Sequence, residues 1–129
     1  MRDHAKLRAF ELADEVAILT YRGTRTFPKE EIYGLTSQMR RSAVSVPSNI
    51  VEGCARESQT EFLRFLEIAF ASLRELRYQF TLSKRLGYFD FDEKSFTGYD
   101  SKILETEKVL GALIRSLRNP NRLQSNQPE

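Results

Sequence analysis

One histidine, His4, and one cysteine, Cys54, are the chain's whole supply of those two side chains. A protein zinc site draws three or four ligands from such groups, and a thiol nucleophile needs a base beside it, so neither can be assembled here. His4, in the N-terminal segment, reads as a solvated side chain. Cys54 stands just past an expected helix end and near Arg56, a cation able to lower a thiol pKa. The other reading of Cys54 is a small, packed, unreactive thiol. Glu67 and Glu75 can be imagined as an acid/base pair, but two helical turns separate them, and carboxylates so placed on a charged face are solvated or salt-bridged. The Glu-x-x-His pairs of di-iron bundles, the G-x-x-x-x-G-K phosphate loop and the dinucleotide fingerprint are all missing from the sequence. The expectation is a protein that is not an enzyme, with no catalytic residue, metal or cofactor.

The densest polar cluster is Arg40, Arg41, Ser42, Ser45, Ser48, Asn49 and Glu52 around Pro47. A proline inside a helix frees a backbone carbonyl, and Ser and Asn side chains can satisfy it. One reading is therefore structural, with Glu52 paired to an arginine. The other makes Arg40 and Arg41 phosphate ligands, since guanidinium forks match phosphate oxygens.

The elements that position these groups are helical, because no stretch alternates with period two for long enough to claim a strand. A first helix is expected over about Lys6–Thr24, with Phe10, Ala13, Ala17, Thr20 and Thr24 on one stripe and Leu12, Val16 and Leu19 beside it. Phe27-Pro28 interrupts the pattern, and Pro28 can open the next helix with Glu30 and Glu31 in its first turn. The second helix is expected over about Lys29–Glu52, kinked at Pro47 and closed by Gly53 as its C-cap. Ser58-Gln59-Thr60-Glu61 has the S-x-x-E form of a capping box and starts a third helix. That helix runs to about Leu86 and stops at Gly87, with Phe62, Leu66, Ala69, Leu73, Leu76 and Phe80 on one seam. Phe65 and Phe70 fall off the seam. They form either a second contact surface, between subunits or for a partner, or part of a slightly rotated core. Asp90 and Glu93 suggest the start of a fourth helix carrying Phe96, Tyr99, Ile103, Thr106, Leu110, Leu113 and Leu117. Asn119-Pro120 ends it, so that residues 1–118 form the bundle and 119–129 a disordered tail. Four helices with short connections give an all-α, antiparallel up-down-up-down four-helix bundle.

In that topology one pole gathers Arg2, Lys6, Arg8, Arg56, Arg64, Arg115, Arg118 and Arg122 against Asp3, Glu11, Glu52, Glu57 and Glu61. Its cleanest part is the stretch from Lys108 to Arg122, with four basic residues and no acid. Placement matters more than total, because twenty basic and eighteen acidic side chains leave a net charge of only +2, far from the excess of a protein that wraps nucleic acid by charge alone. Hydrophobic residues at 40% and charged residues at 29% exclude bulk disorder. No apolar run approaches the ~20 residues that span a bilayer. No apolar stretch of signal-peptide type precedes the first helix, and a lone cysteine fits a reducing compartment, so a cytoplasmic protein away from membranes is expected.

The run Tyr33-Gly34-Leu35-Thr36-Ser37-Gln38-Met39-Arg40-Arg41-Ser42-Ala43-Val44-Ser45-Val46-Pro47-Ser48-Asn49-Ile50-Val51-Glu52-Gly53 resembles the signature of the four-helix bundle proteins encoded by intervening sequences in bacterial large-subunit (23S) ribosomal RNA genes. The similarity continues through Phe62–Leu76, Leu86-Gly87-Tyr88 and Leu113-Ile114-Arg115-Ser116-Leu117, covering about residues 6–118. It departs at Ala71, where the family often has glycine. The resemblance implies a ring-shaped homopentamer with a central channel. More distantly the chain is similar to the accessory proteins of diversity-generating retroelements, which bind nucleic acid and associate with a reverse transcriptase. No catalytic residue is carried over. The resemblance therefore directs attention to RNA or DNA contacts by Arg40, Arg41, Arg56, Arg64, Arg115, Arg118 and Arg122, with a protein-interaction scaffold as the alternative.

Overall fold

A computed structural model describes residues 2–89 and 93–119, with the backbone alone at 93–96. Among them are four α-helices, α1 (Arg8–Gly23), α2 (Leu35–Cys54), α3 (Gln59–Arg85) and α4 (Glu93–Arg118), and no strand. Each helix packs against its neighbours in sequence, and α4 returns to α1, which closes a square bundle. Cross-helix pairs run in opposite directions: Thr24 of α1's end meets Arg40 of α2, Ser45 meets Ser72, and Glu67 of α3 meets Arg118 of α4. The architecture is the up-down-up-down bundle that the periodicity predicts.

The core is a single stack of side chains. Leu12, Val16, Met39, Val46, Ile50, Leu66, Leu73, Leu76, Ile103 and Leu110 are fully buried, spaced at threes and fours along their helices as one apolar stripe per helix requires. The first helix buries the expected Ala13, Ala17, Thr20 and Thr24 together with Leu12 and Val16 beside them, while Phe10 stays half-buried. Phe27 and Phe89 come from connections without periodicity, yet both enter the core. Phe89 stands 5.0 Å from Phe80 and Phe27 5.1 Å from Phe89, edge to face, so an aromatic cluster closes the pole opposite the N-terminus.

Two expected boundaries differ. The second helix does not start at Lys29: a single 3-10 turn over Lys29–Glu31 precedes α2. Gly34, with φ −115° and ψ −115°, separates that turn from α2. Gly53 is not a C-cap either. It lies inside α2, where an added Cβ would stand 2.9 Å from Cβ of Phe65 and 3.3 Å from the ring and carbonyl of Phe62. Its role is to let α2 and α3 approach. Pro47 is buried within a helix that continues past it to Cys54.

The remaining ends follow the sequence. Ser58 accepts the Glu61 amide at 3.1 Å, the serine half of a capping box. Gly87 has φ +75°, and the amides of Gly87 and Tyr88 donate to the carbonyls of Lys84 and Ser83 at 2.9 and 3.0 Å. That pair of bonds is a Schellman closure. Asp90, expected to cap the fourth helix, and 120–129, expected as most of the disordered tail, lie outside the described residues.

A polar chain ties three helices inside the apolar stack. Thr20 donates to the Val16 carbonyl at 2.8 Å and accepts the Tyr99 phenol. Thr24 donates to the Thr20 carbonyl at 2.8 Å and accepts Nε of Arg40 at 2.9 Å. Burial pushes the Tyr99 phenol well above its ordinary 10.0, and the hydrogen bond to Thr20 opposes the shift only in part.

Two stability outcomes follow from this packing. Gly53→Ala forces backbone and ring to shift and should cost about 1–3 kcal/mol, less a helix-propensity gain of under ~1 kcal/mol; a denaturation midpoint unchanged from the parent would refute the steric role. For Tyr99, the folded state holds a proton that the unfolded state releases once pH passes 10. Stability is therefore full below pH 10 and should fall above it by about 1.4 kcal/mol per pH unit from this group. Urea titrations from pH 8 to 11 should show a shallower alkaline loss in Tyr99→Phe than in the parent.

Candidate nucleic-acid interface

The six described arginines of the seven singled out by the sequence do not form one site, and the folded chain sorts them by what each already holds. Arg40 is committed to the fold. Besides its bond to Thr24, its guanidinium lies 4.8 Å from the ring centroid of Tyr21, so both its charge and its planar face are engaged with α1. Arg41 is the next residue, about 100° around the helix, and it is exposed. It borders a groove of about 440 Å³ between α2 and α3 with Gln38, Ser42, Ser45, Ser72 and Glu75.

At the pole shared by the N-termini of α1 and α3, aromatic rings carry the cations. Arg2 lies 4.1 Å over Phe62 and Arg56 4.8 Å over Phe65. Arg2 also donates to the Arg56 carbonyl at 3.1 Å, and its own amide donates to the Cys54 carbonyl at 3.1 Å. Arg56 reaches Glu52 at 3.1 Å, so Glu52 does pair with an arginine, although not with Arg40 or Arg41. Arg8 bridges Glu11 and Glu105 at 3.1 and 2.9 Å. Arg118 holds Glu67. Arg64 and Arg115 are exposed, and with Arg41 they have no carboxylate within ion-pair distance among the described residues. Arg122 lies outside those residues. The single basic pole expected from the sequence is thus divided: Arg2, Arg8, Arg56 and Arg118 are paired or stacked, while Arg64 and Arg115 have no ion-pair partner among the described residues, as Arg41 elsewhere on α2 has none.

In the polar cluster around Pro47, Asn49 and Ser45 have structural roles, although the carbonyl they serve is that of Ser45 and not the Ala43 carbonyl that Pro47 frees. Asn49 Nδ2 donates to the Ser45 carbonyl at 2.7 Å and to Ser45 Oγ at 2.9 Å, and Ser45 shares a 2.9 Å hydroxyl bond with Ser72. These bonds serve the α2 backbone and its seam with α3.

The other candidates are also resolved by their surroundings. Cys54 is buried, and that burial pushes its thiol up, opposed by the charge of Arg2 rather than Arg56. A nucleophilic thiolate is not produced there. His4 is not simply solvated: it sits in a 3-10 turn capped by Asp3, with its ring 4.7 Å from Phe10, edge on. Glu67 is held by Arg118, and Glu75 accepts from Gln79 at 3.4 Å, so the two carboxylates serve separate contacts. Among the described residues no group of three or more His, Cys, Asp or Glu could hold a metal ion, and no helix is long and apolar enough to cross a membrane.

Phe65 and Phe70 are each half-buried. Phe65 packs on Gly53, and Phe70 lies in the seam between α3 and α4 beside Gly111. The large apolar side chains that α3 leaves open are Ile68 at 38% and Tyr78 at 62% exposure, neither of which the heptad seam singles out. Their positions on the polar side of the heptad pattern were the available signal.

A closed antiparallel bundle, with its hydroxyls and amides spent on packing and its free arginines on outer faces, defines the class of a small helical bundle protein. The chain belongs to the family of 23S rRNA-intervening sequence proteins, which it matches over residues 5–112. It is also similar in fold to the crystal structure of a protein of unknown function from the S23 ribosomal protein family of Bacteroides thetaiotaomicron. There the TM-score is 0.70 at 22% identity, over 82% of this chain and 97% of that one. No curated protein matches the chain.

Arg40 and Arg41 should part company on substitution. Arg40→Ala removes a charged hydrogen bond and a stacked cation and should cost about 1.5–3 kcal/mol, whereas Arg41→Ala should change stability by less than about 0.5 kcal/mol. Equal chemical denaturation curves for the two variants would refute the assignment of Arg40 to the fold.

Proposed function

We propose that this chain is a non-enzymatic, oligomeric bundle that associates with RNA through phosphate contacts of exposed arginines, without reading bases in a sequence-specific way. The observation that carries the reading is that Arg41, Arg64 and Arg115 form no ion pair among the described residues, together with a stretch of α4 from Lys108 to Arg118 that contains no acid. A cation already paired must give up its partner to take a phosphate; a free guanidinium releases only water and counterions. The family's description, as 23S rRNA-intervening sequence proteins, supports the choice of RNA as the first ligand to test. Arg40 is withdrawn from the proposed contacts, and Arg56 and Arg118 contribute through their less engaged edges.

Oligomerisation is proposed on a separate surface. Ile18 and Tyr21 of α1 and Val44 and Val51 of α2 are between 37% and 46% exposed, and Arg40 stacked on Tyr21 joins the two helices there. An apolar face of this kind suits burial against another copy. Five subunits, in a closed ring, is the state the sequence resemblance implies. A protein-partner scaffold is the second reading, favoured by Ile68 and Tyr78 on α3 and by Tyr33, which is 95% exposed; a reverse transcriptase is one such partner.

Light scattering after size exclusion, with and without a structured RNA, tests the proposal. The expected result is a complex of about five subunits that shifts with RNA at low salt and not at high salt. A log–log plot of affinity against salt should be steep, and the triple variant R41Q/R64Q/R115Q should reduce its slope by about 0.7–0.9 for each phosphate that an arginine no longer neutralises. A monomer indifferent to RNA would overturn both halves of the reading. An oligomer indifferent to RNA at every salt would leave the scaffold.

A further inference from the structure

The seam between α3 and α4 joins an aromatic floor to cations without an ion-pair partner among the described residues, as the groove of Tyr21, Arg22 and Arg25 on α1 also does, but it lies between two helices and is the longer of the two. Two adjoining hollows, of about 400 and 430 Å³, run along it. Phe70 and Arg115 line both. Ala71, Gly111 and Ile114 complete the floor of one, Leu104 that of the other, and Lys108 and Arg118 stand at the edges. The two carboxylates present are each paired through Oε2, while the buried Oε1 of Glu107 has no hydrogen-bond partner among the described residues. Glu67 is bound by Arg118, and Glu107, only 11% exposed, is held by Arg77 at 3.4 Å and Arg74 at 4.0 Å. Lys108 and Arg115 have no such partner among the described residues.

Gly111 matters to this arrangement. A Cβ at that position would stand 3.5 Å from Cε2 of Phe70 and 3.3 Å from Nη1 of Arg115. The missing methyl leaves room between the edge of the Phe70 ring and the Arg115 guanidinium. In a helix, glycine costs up to about 1 kcal/mol against alanine, and neither turn nor left-handed backbone calls for it here.

The geometry points to this seam as a single-stranded nucleic-acid site in which an unpaired base stacks on Phe70 while Lys108 and Arg115 take the flanking phosphates. This assignment rests on the RNA reading above and adds to it: phosphate contact alone needs no aromatic floor. An aromatic surface between free cations is the arrangement that holds single strands, because every base has a π-face and stacking tolerates any sequence. A duplex keeps its bases inside the stack and would gain nothing from Phe70. An anionic single strand fits the open cations better than a peptide, whose backbone carries no charge to meet them.

The test uses the full chain and two 12-nucleotide probes of equal phosphate number, an unstructured oligoribonucleotide with 2-aminopurine at its centre and its abasic counterpart, in fluorescence titrations at low salt. The expected result is roughly tenfold tighter binding of the base-bearing probe, with quenching of 2-aminopurine on binding. Phe70→Leu and Gly111→Ala, each checked for an unchanged helical spectrum, should remove that preference and the quenching. Gly111→Ala should fold in any case, since its added methyl meets only ordinary contact and a flexible guanidinium. Equal binding of both probes by the parent would overturn stacking and leave the phosphate reading standing. A preference that survives both substitutions would overturn the assignment to this seam. Binding of neither probe would overturn the assignment and the RNA reading together, and leave the groove to a protein partner.

Discussion

The close approach of α2 and α3 at Gly53 is the constraint on which the pole carrying the N-terminus depends. With no side chain at that position, Phe62 and Phe65 press against the end of α2, and the backbone contact is tight enough that even a methyl would collide at 2.9 Å. The outer faces of the same two rings then receive Arg2 and Arg56. Arg2 in turn ties the segment before α1 to the end of α2 through the carbonyls of Cys54 and Arg56. One missing Cβ therefore lets two helices approach and sets the two rings on which the cations rest. Cys54 is buried at the same pole.

That constraint also bears on how a nearly neutral chain can present positive charge. The ion pairs Arg8–Glu105, Lys102–Glu15, Arg56–Glu52 and Arg118–Glu67 all lie at the surface, where each contributes at most about 1 kcal/mol. Their larger effect is on charge placement. They consume carboxylates along the α1–α4 and α3–α4 seams, so the arginines left over are not diluted by acids beside them. A net charge of +2 describes the whole chain and says little about Arg41, Arg64 or Arg115. Isolation of individual cations, rather than their number, is the property on which the RNA reading stands.

Helix number, order and core stripes were legible because each helix buries a single face, and burial of one face imposes the spacing of threes and fours that a sequence displays. What was illegible has a common physical cause. Phe27 and Phe89 enter the core from connections, where no period marks which residues turn inward. Gly53 reads as a stop signal because glycine at a helix end and glycine at a helix crossing look alike until the partner helix is placed. Arg40 and Arg41 are adjacent and chemically identical, and only the position of Tyr21 and Thr24, brought from the end of α1, separates the structural one from the free one. Phe70 stands out in the sequence as off the seam, but its meaning required Gly111, forty-one residues further along and on another helix.

The pairing pattern argues for many weak contacts rather than one strong site. The grooves beside Arg41 and Arg115 are open ones, and Arg41, Arg64 and Arg115 stand on separate stretches of α2, α3 and α4. On the proposed reading, one subunit so equipped would bind a polyanion loosely and release it readily as salt rises. Subunits joined through the apolar side of α1 and α2 would leave α3 and α4 turned toward solvent, with each copy offering the same free cations and the same Phe70 groove. On the proposed reading, the second and later contacts then form at high effective concentration, and affinity grows without any new chemistry. Such a surface needs no large net charge and no precise pocket, only a packed scaffold that repeats. The polar chain from Tyr99 through Thr20 and Thr24 to Arg40 supplies that rigidity, because it locks α1 to both its neighbours from inside the core.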